Sequence, residues 1–232
     1  MEILRDRAGA AGGPPSLAVL RPTRGLEFSE SADSIDFALS VAIDSECIQS
    51  RVRQFRQWEL PIPDSFNVLV REFLQSPIDY AWILEEDVVA PLDAIPQMLA
   101  MDADVAAINY NLKVGGPNRN SEIRTLDGEL HTLGTGCMLI KRSVFEVLPD
   151  PWFRTDLAPG MRHPGSATPK PFLDLVPNSF EYGGHDGFFT LSAIRAGLKV
   201  VSVPDRRCAH LRLDAAGAVN SNQGCHVISR VE

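Results

Sequence analysis

This chain predicts an α/β fold: a mostly parallel central sheet flanked by helices. Three observations predict it. Short, uninterrupted apolar runs recur along the chain, the signature of strands buried on both faces. Segments with apolar residues at helical spacing separate those runs, and such alternation builds parallel sheets. The length, 232 residues, fits one domain with an ample core.

Residues 1–15 are rich in Ala, Gly and Pro and read as a flexible leader before a domain at 16–214. Leu17-Ala18-Val19-Leu20 is a short buried strand. It runs into Arg21-Pro22-Thr23-Arg24-Gly25, a turn of small and cationic residues able to hold an anionic or nucleotide group. Ser29 is placed to cap a helix carrying Ala32, Ile35, Phe37, Ala38 and Leu39. Val41-Ala42-Ile43 reads as another strand, with Asp44 and Glu46 at its end. Asp64 or Ser65 can cap a helix with Phe66, Leu69, Val70, Phe73 and Leu74 on its apolar face, which leaves Asn67 polar. Ala81–Leu84 is the next buried strand, followed by a helix near Leu92–Met101 and a strand at Val105–Ile108.

Residues 113–128 are polar and glycine-rich and read as a loop. Leu133-Gly134-Thr135-Gly136 is a glycine turn that enters a strand through Cys137–Ile140, and Ser143 begins a short helix. Residues 149–181 hold seven prolines and little periodicity, as a functional or mobile loop would. Gly183-Gly184-His185-Asp186 opens a helix through Phe188, Phe189, Leu191 and Ile194 that stops at Gly197. Lys199–Val203 is a strand ended by Pro204, Cys208-Ala209-His210-Leu211 follows, and residues 215–232 read as a loose, small-residue tail.

The most informative stretch is Glu85-Glu86-Asp87, three acids placed abruptly after the apolar Ala81–Leu84 run. In extended geometry Glu85 and Asp87 share a face and Glu86 takes the other. Neighbouring carboxylates resist ionising together, and a divalent cation removes that cost, with hard oxygen ligands suiting Mg²⁺ or Mn²⁺. Strand carboxyl ends are also where open α/β sheets bind ligands. The same acids fit a second reading, as solvated groups favouring the start of the next helix near Asp93.

Composition narrows the partners. The net charge is −8 with no strongly basic block, which disfavours affinity for bulk phosphate backbone, although Arg51, Arg53 and Arg56 cluster locally. The cysteines Cys47, Cys137, Cys208 and Cys225 fit neither a zinc ribbon nor a compact disulfide framework. No run is long and apolar enough for a signal core or a membrane span, so the expectation is a soluble, cytoplasmic protein.

Six segments in one order resemble glycosyltransferases of the GT-A fold, similar to family 2 and to short stand-alone phage and bacterial members. They are Pro22-Thr23-Arg24-Gly25, Asp64-x-x-Asn67, Glu85-Glu86-Asp87, Gly134 to Ile140, Gly184-His185-Asp186-x-x-Phe189 and Cys208-Ala209-His210. The resemblance spans about residues 16–212. It implies a single Rossmann-like GT-A domain and a metal-dependent transfer of sugar from a nucleotide-diphospho-sugar to an acceptor hydroxyl, with inversion.

By the same resemblance, the family's Asp-x-Asp metal motif falls on Glu85-Glu86-Asp87. Its first acid is Glu here, which leaves Asp87 as the firmer ligand beside Glu85. The late histidine that completes the metal site falls on His210, and the catalytic acid on Asp186. Nucleotide-sugar contacts fall on Pro22, Thr23, Arg24, Gly25, Asp64, Asn67, Glu85, Glu86, Gly134, Thr135, Gly136 and His185. The implied cofactor is Mn²⁺ or Mg²⁺, and the implied donor a UDP-sugar ahead of a GDP-sugar. The acceptor stays open among a modified nucleobase in DNA, a glycan, a protein and a small molecule.

Each residue also has a plainer role. Asp186 and Asp64 fit helix caps, His210 a satisfied buried histidine, Gly134 and Gly136 a simple turn, and Trp152 core packing or stacking on a sugar. Two other functions share the same residues: a non-catalytic sugar-nucleotide or glycan-binding module, and a nucleotidyltransferase.

Overall fold

The computed structural model describes residues 13–23, 27–57, 60–111, 121–124, 128, 130–159, 175–177, 184–213 and 219–221. Its central sheet follows one path. β2 (Arg53–Gln57), β1 (Leu17–Pro22) and β3 (Tyr80–Leu84) lie parallel. β8 (Cys137–Lys141) runs antiparallel between β3 and β5 (Val105–Tyr110). β11 (Val200–Leu213) is parallel to β5, and β12 (Val219–Ser221) closes the path antiparallel to β11. β4 (Val88–Val89) pairs with β11 off this path. Two small ribbons lie outside the sheet. One joins β6 (Ile123–Arg124) to β7 (Leu130–Thr132), the other β9 (Leu157–Pro159) to β10 (Leu175–Pro177). The chain is thus a single Rossmann-like domain with a mostly parallel sheet.

Helices cover both faces, which explains the continuous apolar runs. Leu17 and Val19 of β1, with Trp82 and Leu84 of β3, join the core under α1 (Ser29–Asp44) and α3 (Ala94–Ala100). Ala18, Leu20, Ala81 and Ile83 alternate with them. They join the opposite core under α2 (Asp64–Leu74), α4 (Arg142–Val147) and α5 (His185–Arg195). Each strand therefore feeds two cores at period two.

Several expectations need correction. Val41–Ile43 is no strand but the last turn of α1: Ile35, Ala38, Leu39 and Ala42 are buried at helical spacing, and the helix runs on to Asp44. Pro204 does not end a strand. β11 continues through it by a register shift between Ser202 and Arg207, with Asp205 at φ +56°; a bulge accepts a residue that cannot donate to the ladder. The acids after β3 are not extended either: Val88 N–H donates to the Glu85 carbonyl at 3.1 Å and closes a turn. β2 has no apolar run to announce it, being Arg-Gln-Phe-Arg-Gln on the sheet edge, and the tail contributes β12. Within 149–181, Trp152 and Phe153 are buried and β9 pairs with β10.

Candidate functional site

The site forms where β1, β3, β5 and the second half of β11 end, and it is built around the acidic turn. Backbone groups from several elements hold that turn. Glu85 N–H donates to the Gly136 carbonyl at 3.0 Å, Phe28 N–H to the Glu86 carbonyl at 3.3 Å, and Leu211 N–H to the Asp87 carbonyl at 2.7 Å. From α1, the buried Ser31 hydroxyl sits 2.7 Å from the Val88 carbonyl and 3.1 Å from that of Glu85. Ser34 Oγ accepts the Ala90 N–H at 3.1 Å. The acids are thus displayed from a fixed frame rather than a loose strand end.

Asp87 and His210 come together because β4 pairs Val88 with His210. His210 Nε2 lies 3.5 Å from Asp87 Oδ2, and both residues are buried. The other ring nitrogen, Nδ1, is 2.9 Å from the Asn111 carbonyl. A carbonyl only accepts, so Nδ1 carries a proton, and Nε2 is the nitrogen that faces Asp87. Tyr110 packs edge-on against the ring, with centroids 5.0 Å apart. A histidine whose second nitrogen is fixed by a backbone carbonyl, beside a carboxylate, is a donor pair that fits a divalent cation. Among the described residues no group of three or more His, Cys, Asp or Glu is arranged to hold a metal. Two protein ligands match the way Mg²⁺-like ions are held when phosphates and waters fill the remaining positions.

Glu85 has a partner of its own. Its Oε1 accepts from the Thr135 hydroxyl at 2.7 Å, and Thr135 Oγ1 is 3.3 Å from His185 Nε2. Burial pushes the Glu85 carboxyl above its usual value. His185 and the Thr135 hydrogen bond oppose this, and the charges of Asp87 and Asp186 add to it. Thr135 is presented by a turn in which neither glycine tolerates a side chain. A Cβ on Gly134 would lie 2.4 Å from the Tyr110 hydroxyl, and one on Gly136 2.6 Å from its ring. Desolvation holds the enclosed Tyr110 phenol well above its usual pKa. Gly184, at φ +95°, starts α5. His185 packs on Phe66 at 5.1 Å, and Asp186 accepts the Gly187 N–H at 2.8 Å.

The remaining candidates scatter. Pro22 ends β1, and Thr23 N–H donates to Gln57 O at 3.0 Å; Arg24 and Gly25 lie outside the described residues. Glu86 sits on the far side of the turn, near enough to Arg21 to favour its charge. Asp64 is exposed in the first turn of α2. Asn67 is buried, and its amide both donates to the Phe153 carbonyl (2.9 Å) and accepts the Phe153 N–H (3.0 Å). Trp152 is core, its indole N–H shared between the Phe145 and Leu148 carbonyls. Sequence reasoning missed Arg21. Its guanidinium is buried at the end of β1, held by Glu27 and 3.3 Å from Ser31 Oγ, and burial lowers its pKa while Glu27 opposes the shift. Its register was readable, since Arg21 shares the face of Leu17 and Val19.

No family model and no curated protein matches this chain. Among solved structures, the protein A197 from STIV aligns with a TM-score of 0.53 over 94% of this chain and 98% of that one, at 17% identity. The inositol-1-phosphate CTP transferase from T. maritima aligns with a TM-score of 0.46 at 10% identity over 83% and 86%. A glycosyltransferase involved in the glycosylation of the major capsid of PBCV-1 gives 0.33 at 9% identity over 60% and 69%. At such identities the likeness to A197 is one of fold.

Proposed function

We propose that this chain is a metal-dependent glycosyltransferase, moving a sugar from a nucleotide-diphospho-sugar to an acceptor hydroxyl with inversion. The observation that carries the reading is the Asp87–His210 pair, 3.5 Å apart at the carboxyl ends of the strands, with His210 Nε2 turned to the carboxylate and Nδ1 held by the Asn111 carbonyl. Asp87 and His210 would hold Mn²⁺ or Mg²⁺, whose chemistry when bound is Lewis-acid stabilisation of a leaving diphosphate. Asp186, at the first turn of α5, is the base that takes the proton of the acceptor hydroxyl as the new bond forms. Its Oδ1 is occupied by the Gly187 N–H, which fixes the carboxylate and leaves Oδ2 for the proton. Thr135, Gly134 and Gly136 form the buried turn beside Glu85 and would contact the sugar, and Pro22 and Thr23 would contact the nucleotide.

The donor is a UDP-sugar ahead of a GDP-sugar. The acceptor class stays open between a modified base, a glycan, a protein and a small molecule. A cytoplasmic location is part of this proposal; no helix among the described residues is long and apolar enough to cross a membrane. The test is a panel of UDP- and GDP-sugars with and without Mn²⁺, read by thermal shift and by products. Metal-dependent stabilisation and release of nucleoside diphosphate support the reading. Release of pyrophosphate makes the chain a nucleotidyltransferase, and binding without turnover on any acceptor class makes it a binding module.

A further inference from the structure

Resting on that reading of the site, we propose that Glu85 is a positioning residue and not a metal ligand. Through the Thr135 hydroxyl it fixes the His185 ring as its Nε2–H tautomer and so braces the first turn of α5, where Asp186 sits. The argument starts from proton counting. A threonine hydroxyl has one proton to give and lone pairs to accept with. Thr135 Oγ1 is 2.7 Å from Glu85 Oε1, the shorter and stronger of its two contacts, so its proton goes to the carboxylate. At 3.3 Å, His185 Nε2 then meets an oxygen with only a lone pair left and must be the donor.

The other ring nitrogen agrees. His185 Nδ1 is buried and has no hydrogen-bond partner among the described residues. An enclosed N–H without an acceptor is costlier than an enclosed lone pair, so the proton belongs on Nε2. The ring is also seated on Phe66 at 5.1 Å, which restricts its rotation. The three side chains make one chain of contacts from the metal turn to the helix that carries the base. The Glu85 oxygen that accepts from Thr135 is taken up by that bond, which separates its role from that of the Asp87–His210 pair.

The test uses the full chain labelled with ¹⁵N-histidine and long-range ¹H–¹⁵N correlation, which distinguishes the two neutral tautomers directly. The parent should show His185 as Nε2–H, assigned by its loss in His185→Phe. Thr135→Val, which keeps the volume, should collapse that signature to a mixture, and Thr135→Ser should restore it. An Nδ1–H tautomer in the parent, or an unchanged spectrum in Thr135→Val, overturns the proposal. A second arm titrates Mn²⁺ in the presence of UDP and of GDP. Glu85→Gln, whose carbonyl still accepts from Thr135, should bind Mn²⁺ within about twofold of the parent, whereas Asp87→Asn should not. Equal loss in both variants makes Glu85 a ligand. If the parent binds no Mn²⁺ with either nucleotide, the glycosyltransferase reading fails while the tautomer result still stands or falls alone.

Discussion

The two ends of the central sheet solve opposite problems with the same residue types. At the amino ends of β1, β3 and β5 every acid discussed has a partner. Asp79 accepts from the Ser16 N–H and hydroxyl at 2.8 and 2.6 Å. Asp104 accepts from the Lys199 N–H at 2.8 Å and Lys141 Nζ at 3.1 Å. Arg142 donates to the Leu74 and Ser76 carbonyls and to Glu146. At the carboxyl ends Glu85, Asp186 and Asp87 also have partners in Thr135, the Gly187 N–H and His210, yet burial first, and then the charges of Asp87 and Asp186, push Glu85 toward its neutral form. One end stores stability in charge-assisted hydrogen bonds; the other gathers acids that burial and like charge disfavour, a local conflict of the kind that marks functional sites.

The comparison can be broken most severely at Asp186. Asp186→Asn should lower initial rates of sugar transfer by about 10²-fold or more, because an amide cannot serve as a base. Its melting temperature should barely move, since Asn caps a helix almost as well. Parent-like turnover would return Asp186 to the structural end of the comparison. Next, Asp87→Asn should weaken Mn²⁺-dependent nucleotide binding by about tenfold or more in calorimetry, a loss that even outer-sphere changes reach. It should not lower the melting temperature, because it removes a like charge beside Glu85; a marked fall would show that the site end, too, is built for stability.

Gly136→Ala sharpens the boundary between the ends. The added Cβ meets the Tyr110 ring at 2.6 Å and Val88 Cγ2 at 2.9 Å, so denaturant unfolding should show a loss of about 1–3 kcal/mol. Full stability there would mean that the Tyr110 wall yields. The smallest effect belongs to the paired end. Asp104 is held below the usual carboxylate range, first by the Lys199 N–H and then by Lys141, against a desolvation penalty. A depressed carboxyl contributes its stability above the unfolded value near ~3.9 and loses it as pH falls through the lower folded value. Asp104→Asn should therefore cost about 1 kcal/mol at neutral pH, with the gap to the parent closing below about pH 4. A gap that widens in acid would reverse the sign of the assignment.

Much of the scaffold was legible because burial on both faces leaves continuous apolar runs. β3, β5 and β8 were found that way, and α2 and α5 by helical spacing. Where sequence reading failed, tertiary context supplied what composition lacked. Val41–Ile43 is too short for its period to decide between strand and helix, and only the burial of Ile35, Ala38 and Ala42 settles it. β2 exists because Arg53–Gln57 lies in register with Ala18–Pro22, a pairing invisible in its own residues. In the site, the acids after β3 stood out at once. The hydroxyl of Ser31 did not, since its contact spans 57 residues of chain, and Thr135 was singled out for the donor sugar while its bond to Glu85, across 50 residues, was not legible. Arg21 was missed because a buried guanidinium looks like an ordinary turn cation until Glu27 and Ser31 are seen around it.

β11 has one more consequence, for how the molecule is made. It supplies His210, completes one side of β5 and receives β4, so it closes contacts between parts of the chain far apart in sequence. Such non-local closures are slow, because ordering the intervening chain precedes any reward. During synthesis β5 emerges long before its partner and presents an unpaired edge, the kind of surface on which nascent chains associate wrongly. The Asp87–His210 pair cannot form until that edge is covered. On the proposed reading the site would therefore be complete only with the finished sheet, and a partly folded chain would hold no half-built centre to capture metal.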